Sequence, residues 1–311
     1  MSDYITIGEI IRHYRKEAGM SQEALADGIC ARKYLSQLEN NQKIPTLYTV
    51  NLLSERLGIN LYDTYALMLR HHDIKTHKKI ETINQHFKYG DSQILSELIK
   101  EYSDLPEFQS GEPAQILGYA KAIYNSDYLH DYDKATELSQ EVLTLLHPFS
   151  LSEIQPANSL SNIELALLNH IGTNYCRKMD FTEGKRYYTF ILDYLTNLLS
   201  KNHYATNKND QFELKLLSAT TYNYFLFLKT ENDFDYRCID TTLEHLKSHH
   251  SHHLLPELLL CKTYQLIQEN NITLARDTFT LAHRMGLYLY SEDYVKHIEE
   301  TTLENNLTLV Q

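Results

Sequence analysis

Six prolines and ten glycines in 311 residues leave little material for hairpin turns. The apolar positions recur at three and four rather than at two, so the pattern excludes a β-rich chain and predicts an all-α one. Four cysteines, Cys30, Cys176, Cys238 and Cys261, are scattered without a CxxC pair. That spacing argues against a zinc site or a disulfide framework and predicts free thiols. No stretch approaches the roughly eighteen unbroken apolar residues of a membrane span. The start, MSDYITIGE, lacks a basic region followed by an apolar run, so no secretion signal is read and a cytoplasmic protein is expected. Also missing are a P-loop, a G-x-S-x-G elbow, an HExxH pair and any thiol or carboxylate pair at helical spacing, so neither an enzyme nor a cofactor is expected.

What is present is a globular composition, 42% apolar and 23% charged, long enough for one small domain and one of ordinary size or larger. The net charge of -12 is unevenly placed. Residues 1–70 carry 8 Lys/Arg and 8 Asp/Glu, so the remaining 21 and 33 hold all of it. An acidic body repels nucleic acid, and any DNA contact must come from the neutral N-terminal unit.

Within that unit the spacing predicts five short helices. The first runs from Ile7 to Glu17, with Ile7, Ile10, Ile11 and Tyr14 on one face and Gly19 at its end. Ser21 offers an N-cap for a second helix carrying Leu25 and Ile29 inward. Gly28 to Ala31 is the hinge. A third helix places Tyr34, Leu35 and Leu38 at core spacing and leaves Arg32, Lys33, Ser36, Gln37 and Asn40 outside. A fourth follows Pro45 and Thr46 and stops at Gly58, and Asn60 caps a fifth through Arg70. A tight turn between the second and third helices is the shape of a helix-turn-helix unit. Arg and Lys neutralise phosphates or reach guanine, and Gln pairs with adenine; on an ordinary helix the same residues are a solvated polar face.

The ordered string IGxxIRxxRKxxGxSQxxLA, xLSQLENxxxxP and LxxLLSERLGI resembles the Cro and phage-repressor type of helix-turn-helix, the XRE family, over residues 5–66. The run GICARKYLSQLE, with its short turn, resembles the Rgg and MutR regulators and their PlcR and PrgX relatives, the RNPP group. The resemblance implies phosphate contacts by Gln22 and Asn40, base reading by Gln37, and an internal ion pair between Arg15 and Glu39. The candidate DNA-binding set is Gln22, Arg32, Lys33, Tyr34, Ser36, Gln37, Asn40 and Lys43.

Residues 71–80, HHDIKTHKKI, read as a linker helix. His71, His72 and His77 there, and the HHSHH run at 249–253, are read as solvated rather than as metal ligands. From 81 to 311 the chain shows degenerate helical pairs whose second helices open with Asp or Asn at 131, 180, 233 and 271. Small residues follow at Ala135, Gly184 and Ala275, where helices must approach closely. The offsets are longer than in an ideal tetratricopeptide repeat, so a diverged tetratricopeptide-like array is expected. The first helix of each pair makes the concave side, lined by Asn169, Asn174, Tyr175, Tyr222, Asn223, Tyr224, Tyr264 and Gln265. An Asn amide donates to and accepts from a peptide backbone, while tyrosines supply stiff walls that are as often core.

Periodicity implies the groove; the resemblance implies a short signalling peptide in it, a double-stranded DNA operator, and a homodimer held through LAHRMGLYLYSEDYVKHIEE. The expected function is a quorum-sensing transcription regulator. The alternative is an interaction scaffold, or a ligand-free repressor, whose repeats bind a protein.

Overall fold

The computed structural model describes residues 6–71, 74–89, 92–145, 160–201, 210–229 and 235–310. These form sixteen α-helices and a few short 3₁₀ or π turns, with no strand among the described residues. The chain divides into two compact units, Met1–Ala120 and Lys121–Gln311. Among the described residues no helix is long and apolar enough to cross a membrane.

The first unit opens with α1 (Ile7–Glu17), α2 (Gln22–Ala26), α3 (Arg32–Glu39), α4 (Leu47–Leu57) and α5 (Leu61–His71). Each start has a side-chain oxygen for the orphan amides of its first turn, α3 excepted. Thr6 and Glu9 form a reciprocal capping box on α1. Ser21 Oγ accepts from the Ala24 amide at 3.0 Å, Thr46 Oγ1 from Thr49 at 3.2 Å, and Asn60 Oδ1 from Tyr62 at 3.1 Å. Ile10, Ile11, Leu25, Ala26, Leu35, Val50, Leu53 and Leu61 make the common core. A Cβ at Gly8 would collide with the Leu38 carbonyl, so glycine there lets α1 lie directly on α3.

After α5 come α6 (Ile74–Tyr89) and α7 (Ser92–Tyr102), which pack together, with α6 also against α5. Residues 74–80 of the basic linker therefore belong to a longer helix. His77, read as solvated, is buried, and its Nε2 lies 3.4 Å from Glu81 Oε1 one turn on. That is a correction: Thr76, His77 and Ile80 turn inward, and the charges Lys75 and Lys78 stay out. His72 and the His71 side chain lie outside the described residues.

The boundary between units falls within α8 (Gly111–Ile123), which ends in a π turn at Tyr124–Tyr128. The second unit continues with α9 (Tyr132–Leu143), α10 (Asn162–Arg177), α11 (Phe181–Lys201), α12 (Asp210–Leu228), α13 (Arg237–Ser248), α14 (Leu255–Gln268), α15 (Ile272–Leu289) and α16 (Glu292–Leu303). Helices α10, α12, α14 and α16 pack in sequence as one layer, and α9, α11, α13 and α15 back them. Asp131, Asp180 and Asn271 cap the second helices, accepting from Lys134, Glu183 and Leu274 at 3.0, 3.2 and 3.4 Å. Asp233 lies outside the described residues; α13 starts at Arg237, whose amide donates to Asp235 Oδ1 at 3.0 Å. Ala135 and Ala275 are fully buried, and a Cβ on Gly184 would collide with Cys176 Sγ. These are the close approaches that a stacked helical pair requires.

Candidate nucleic-acid interface and ligand face

In the first unit α3 is fixed from beneath by charge. The Arg15 guanidinium meets the Glu39 carboxylate through Nε to Oε1 at 2.6 Å and Nη2 to Oε2 at 2.9 Å, while Nη1 donates to the Met20 carbonyl at 2.7 Å. Both residues are buried. Burial pushes the Glu39 carboxyl up, but hydrogen bonds from Arg15 and Gln22 outweigh it and hold the group below its ordinary value. This fork ties α1 and the α1–α2 turn to the last turn of α3.

With that side pinned, the other side of α3 is free to face a partner. Arg32 and Lys33 are exposed, Tyr34, Ser36 and Gln37 half-buried, and Asn40 exposed. Lys43 lies over the Tyr34 ring, its Nζ 5.5 Å from the centroid. Asn40 Nδ2 donates to the Ser36 carbonyl at 2.9 Å, closing the helix end. Gln22 donates one N–H from Nε2 to Glu39 Oε2 at 2.8 Å, which leaves its second N–H and its carbonyl oxygen for other work.

Two further features went unread in the sequence. Arg56, from the last turn of α4, donates to the Asp27 carbonyl at 2.5 Å and the Ala24 carbonyl at 3.2 Å, bracing the hinge at the end of α2. A basic residue two positions before Gly58 was its only signal. Ile44, Leu47 and Tyr48 are exposed large apolar residues after α3. Ile44 and Leu47 join Ile7, Pro45, Val50, Tyr62 and Tyr65 around a groove of about 430 Å³.

In the second unit the named residues divide by depth. Asn169 and Asn223 are half-buried on α10 and α12. Asn169 Oδ1 accepts from Thr220 Oγ1 at 3.0 Å, bridging the two helices. The Asn223 amide has no hydrogen-bond partner among the described residues. Tyr175 is half-buried, stacked on Tyr187 at 5.7 Å, with Lys178 Nζ 4.6 Å from its centroid. Tyr222 reaches Thr302 Oγ1 at 3.4 Å, and Tyr264 meets Phe225 edge-on at 5.3 Å.

Asn174, Tyr224 and Gln265 lie deeper, and that placement makes them interior rather than lining residues. Asn174 is 0% exposed; its Oδ1 accepts from Ser126 Oγ at 2.6 Å, and its amide lies 3.4 Å from His170 Nδ1. Tyr224 is 3% exposed and packs edge-on to Tyr188 at 5.9 Å. Gln265 donates to Glu269 Oε1 at 2.7 Å and accepts from Lys262 Nζ at 3.2 Å.

Burial pushes the Cys176 and Cys238 thiols up to about 12. Thiols so raised are poor nucleophiles. Among the described residues no cluster of three or more His, Cys, Asp or Glu is placed to hold a metal ion. In the run at 249–253, His249 Nδ1 lies 2.9 Å from the His245 carbonyl.

The helix-turn-helix family matches residues 11–63, which takes in α2 and α3 whole. Comparison with curated proteins found no match. Among solved structures, PlcR of Bacillus thuringiensis, in complex with the peptide PapR7 and DNA, aligns over 96% of this chain and 99% of its own, at 15% identity and a TM-score of 0.57. The SHP pheromone receptor Rgg2 of Streptococcus dysgalactiae aligns over 96% of this chain and 100% of its own, at 14% identity and a TM-score of 0.51. The chain has the fold of PlcR and Rgg2. At such low identity the likeness is one of architecture, a helix-turn-helix followed by stacked helical pairs along the whole length.

Proposed function

We propose that this protein is a cytoplasmic, homodimeric transcription regulator whose operator binding or activity is switched by a short signalling peptide. The observation that carries the reading is the pinned α3: a buried ion pair holds one side of the helix while Arg32, Lys33, Ser36, Gln37 and Asn40 stay on the other. PlcR, which shares this fold, was solved with both a peptide and DNA. Residues 1–70 are the DNA-binding domain, 71–80 begin the linker helix, and 81–311 bind peptide and dimerise.

Arg32, Lys33 and Gln37 read bases; Tyr34, Ser36, Asn40 and Lys43, with the second amide N–H of Gln22, position the unit on the backbone. The ligand lies along the layer of first helices, on Asn169, Tyr175, Tyr222, Asn223 and Tyr264. Exposed Leu281, Leu287, Tyr288 and Leu289 on α15 supply the apolar surface for a second copy. A dimer presents two half-sites at once, and peptide shifts activity only through unequal affinity for two arrangements of the dimer.

Native mass spectrometry of the protein after exposure to spent medium from its source cells tests the reading, with any released ligand sequenced by fragmentation. A bound short peptide is expected. A dimer that takes up nothing but captures a folded protein would favour an interaction scaffold.

A further inference from the structure

At the end of α12, Lys229 is buried, its side chain only 7% exposed. Its ammonium sits 2.5 Å from Glu304 Oε1 and donates to the Thr301 carbonyl at 2.9 Å. The same stretch of chain reaches two residues of the ligand face. Tyr222 lies 3.4 Å from Thr302, and Tyr264 packs on the cluster that contains Leu303 and Val310. Beyond Glu304, a 3₁₀ stretch (Glu304–Leu309) folds back so that Leu307 and Val310 pack on the cluster of α14 and α15 containing Leu260, Leu266 and Phe279. The ligand-face tyrosines are thus contacted by the chain's own last residues.

Glu304 itself is held unfavourably. Its φ of 50° and ψ of -127° define a conformation that suits glycine and strains a side chain. Its carboxylate is more than half exposed while the lysine beneath it is not. A buried ammonium needs an anion; the strained, solvent-facing glutamate is the partner easier to replace.

We propose that Lys229 is an anchor for a carboxylate of the ligand peptide, and that Glu304 occupies this anchor as an internal stand-in. The inference rests on the peptide-binding reading above. An incoming carboxylate, from the peptide's C-terminus or from an acidic side chain, takes the place of Glu304 on the same ammonium. Displacement relaxes the Glu304 backbone and frees the last turn of α16 from Tyr222 and Lys229. The C-terminal segment is therefore the element that reports occupancy.

The test uses the full chain and three pools of short synthetic peptides: free acids without Asp or Glu, C-terminal amides containing Asp or Glu, and amides with neither. Retained peptides are counted by mass spectrometry. Wild type is expected to hold one carboxylate-bearing pool about tenfold better than the amides with neither, and the favoured pool names the source of the carboxylate. Glu304→Gln, at an exposed side chain, is expected to raise retention of that pool several-fold. Lys229→Met is expected to abolish the preference, and Lys229→Arg to restore it. Equal retention of all three pools by wild type and Glu304→Gln would overturn the anchor while leaving peptide binding intact. No retention of any pool by any variant would overturn the peptide-binding reading and the anchor with it.

Discussion

Ser126 donates to Asn174 across 48 residues of sequence, Oγ to Oδ1 at 2.6 Å, in the interior of the second unit. The π turn after α8 is bolted to α10 by this bond and by Arg177, which donates to Ser126 Oγ at 2.6 Å and Asp127 Oδ1 at 2.5 Å. An Asn in mid-helix serves the fold here. Asn174→Ala leaves a buried hydroxyl short of an acceptor, so a loss of about 1–3 kcal/mol is expected in chemical denaturation of the full chain. Unchanged stability combined with a lost peptide response would place the amide at the ligand instead.

His170, beside that network, lies 3.1 Å from Ser139 Oγ through Nδ1. Burial lowers its pKa from 6.5 to about 4, with Asp127 opposing and Arg177 assisting. The folded state therefore keeps the ring neutral, and its contribution is complete above pH 6.5 and lost as pH falls toward 4. The cost reaches about 3 kcal/mol at the acid end. Urea midpoints of wild type should fall between pH 7 and pH 4.5 by more than those of His170→Gln; parallel curves for the two would refute the assignment.

Arg15→Met strands the Glu39 carboxylate and should destabilise the first unit by about 3–5 kcal/mol. Arg15→Met/Glu39→Leu, which removes both charges, should recover most of that loss in thermal melts. Because Glu39 is held below its ordinary value, its contribution is present above the unfolded carboxylate range and disappears as pH falls through the depressed value. A double variant no better than the single one would show that the pair matters for shape rather than charge.

Asn223 offers a contrast with Asn174, since its amide has no partner among the described residues. Asn223→Ala should leave denaturation midpoints unchanged and weaken peptide binding by about 0.5–1.5 kcal/mol, read by calorimetry with the peptide recovered from the native complex. Loss of stability without loss of affinity would move the residue into the scaffold.

The caps and the small residues were legible because they act locally. Ser21, Asn60, Asp131, Asp180 and Asn271 each bond an amide two or three residues on, and Ala135, Gly184 and Ala275 stand at fixed offsets from such caps. The shift of the third repeat to Arg237 shows the limit, since a run with two aspartates offers two starts. What stayed hidden acts at long range. Ser126 with Asn174 and Lys229 with Glu304 join residues whose separation has no period, so a polar side chain read as facing a ligand is satisfied within the fold. His77 misled for a related reason, a basic run being taken for a solvated one although every third or fourth position turns inward.

The measurement closest to the central claim is selection from a pool of random-sequence duplex DNA at fixed salt, run in parallel for wild type and Gln37→Ala. Wild type is expected to enrich one motif built of two related half-sites. Gln37→Ala should bind it about 1–3 kcal/mol more weakly and relax the preference at one position in each half-site. No enriched motif for wild type, or the same motif at the same affinity for Gln37→Ala, would contradict the reading of α3 as the helix that reads DNA.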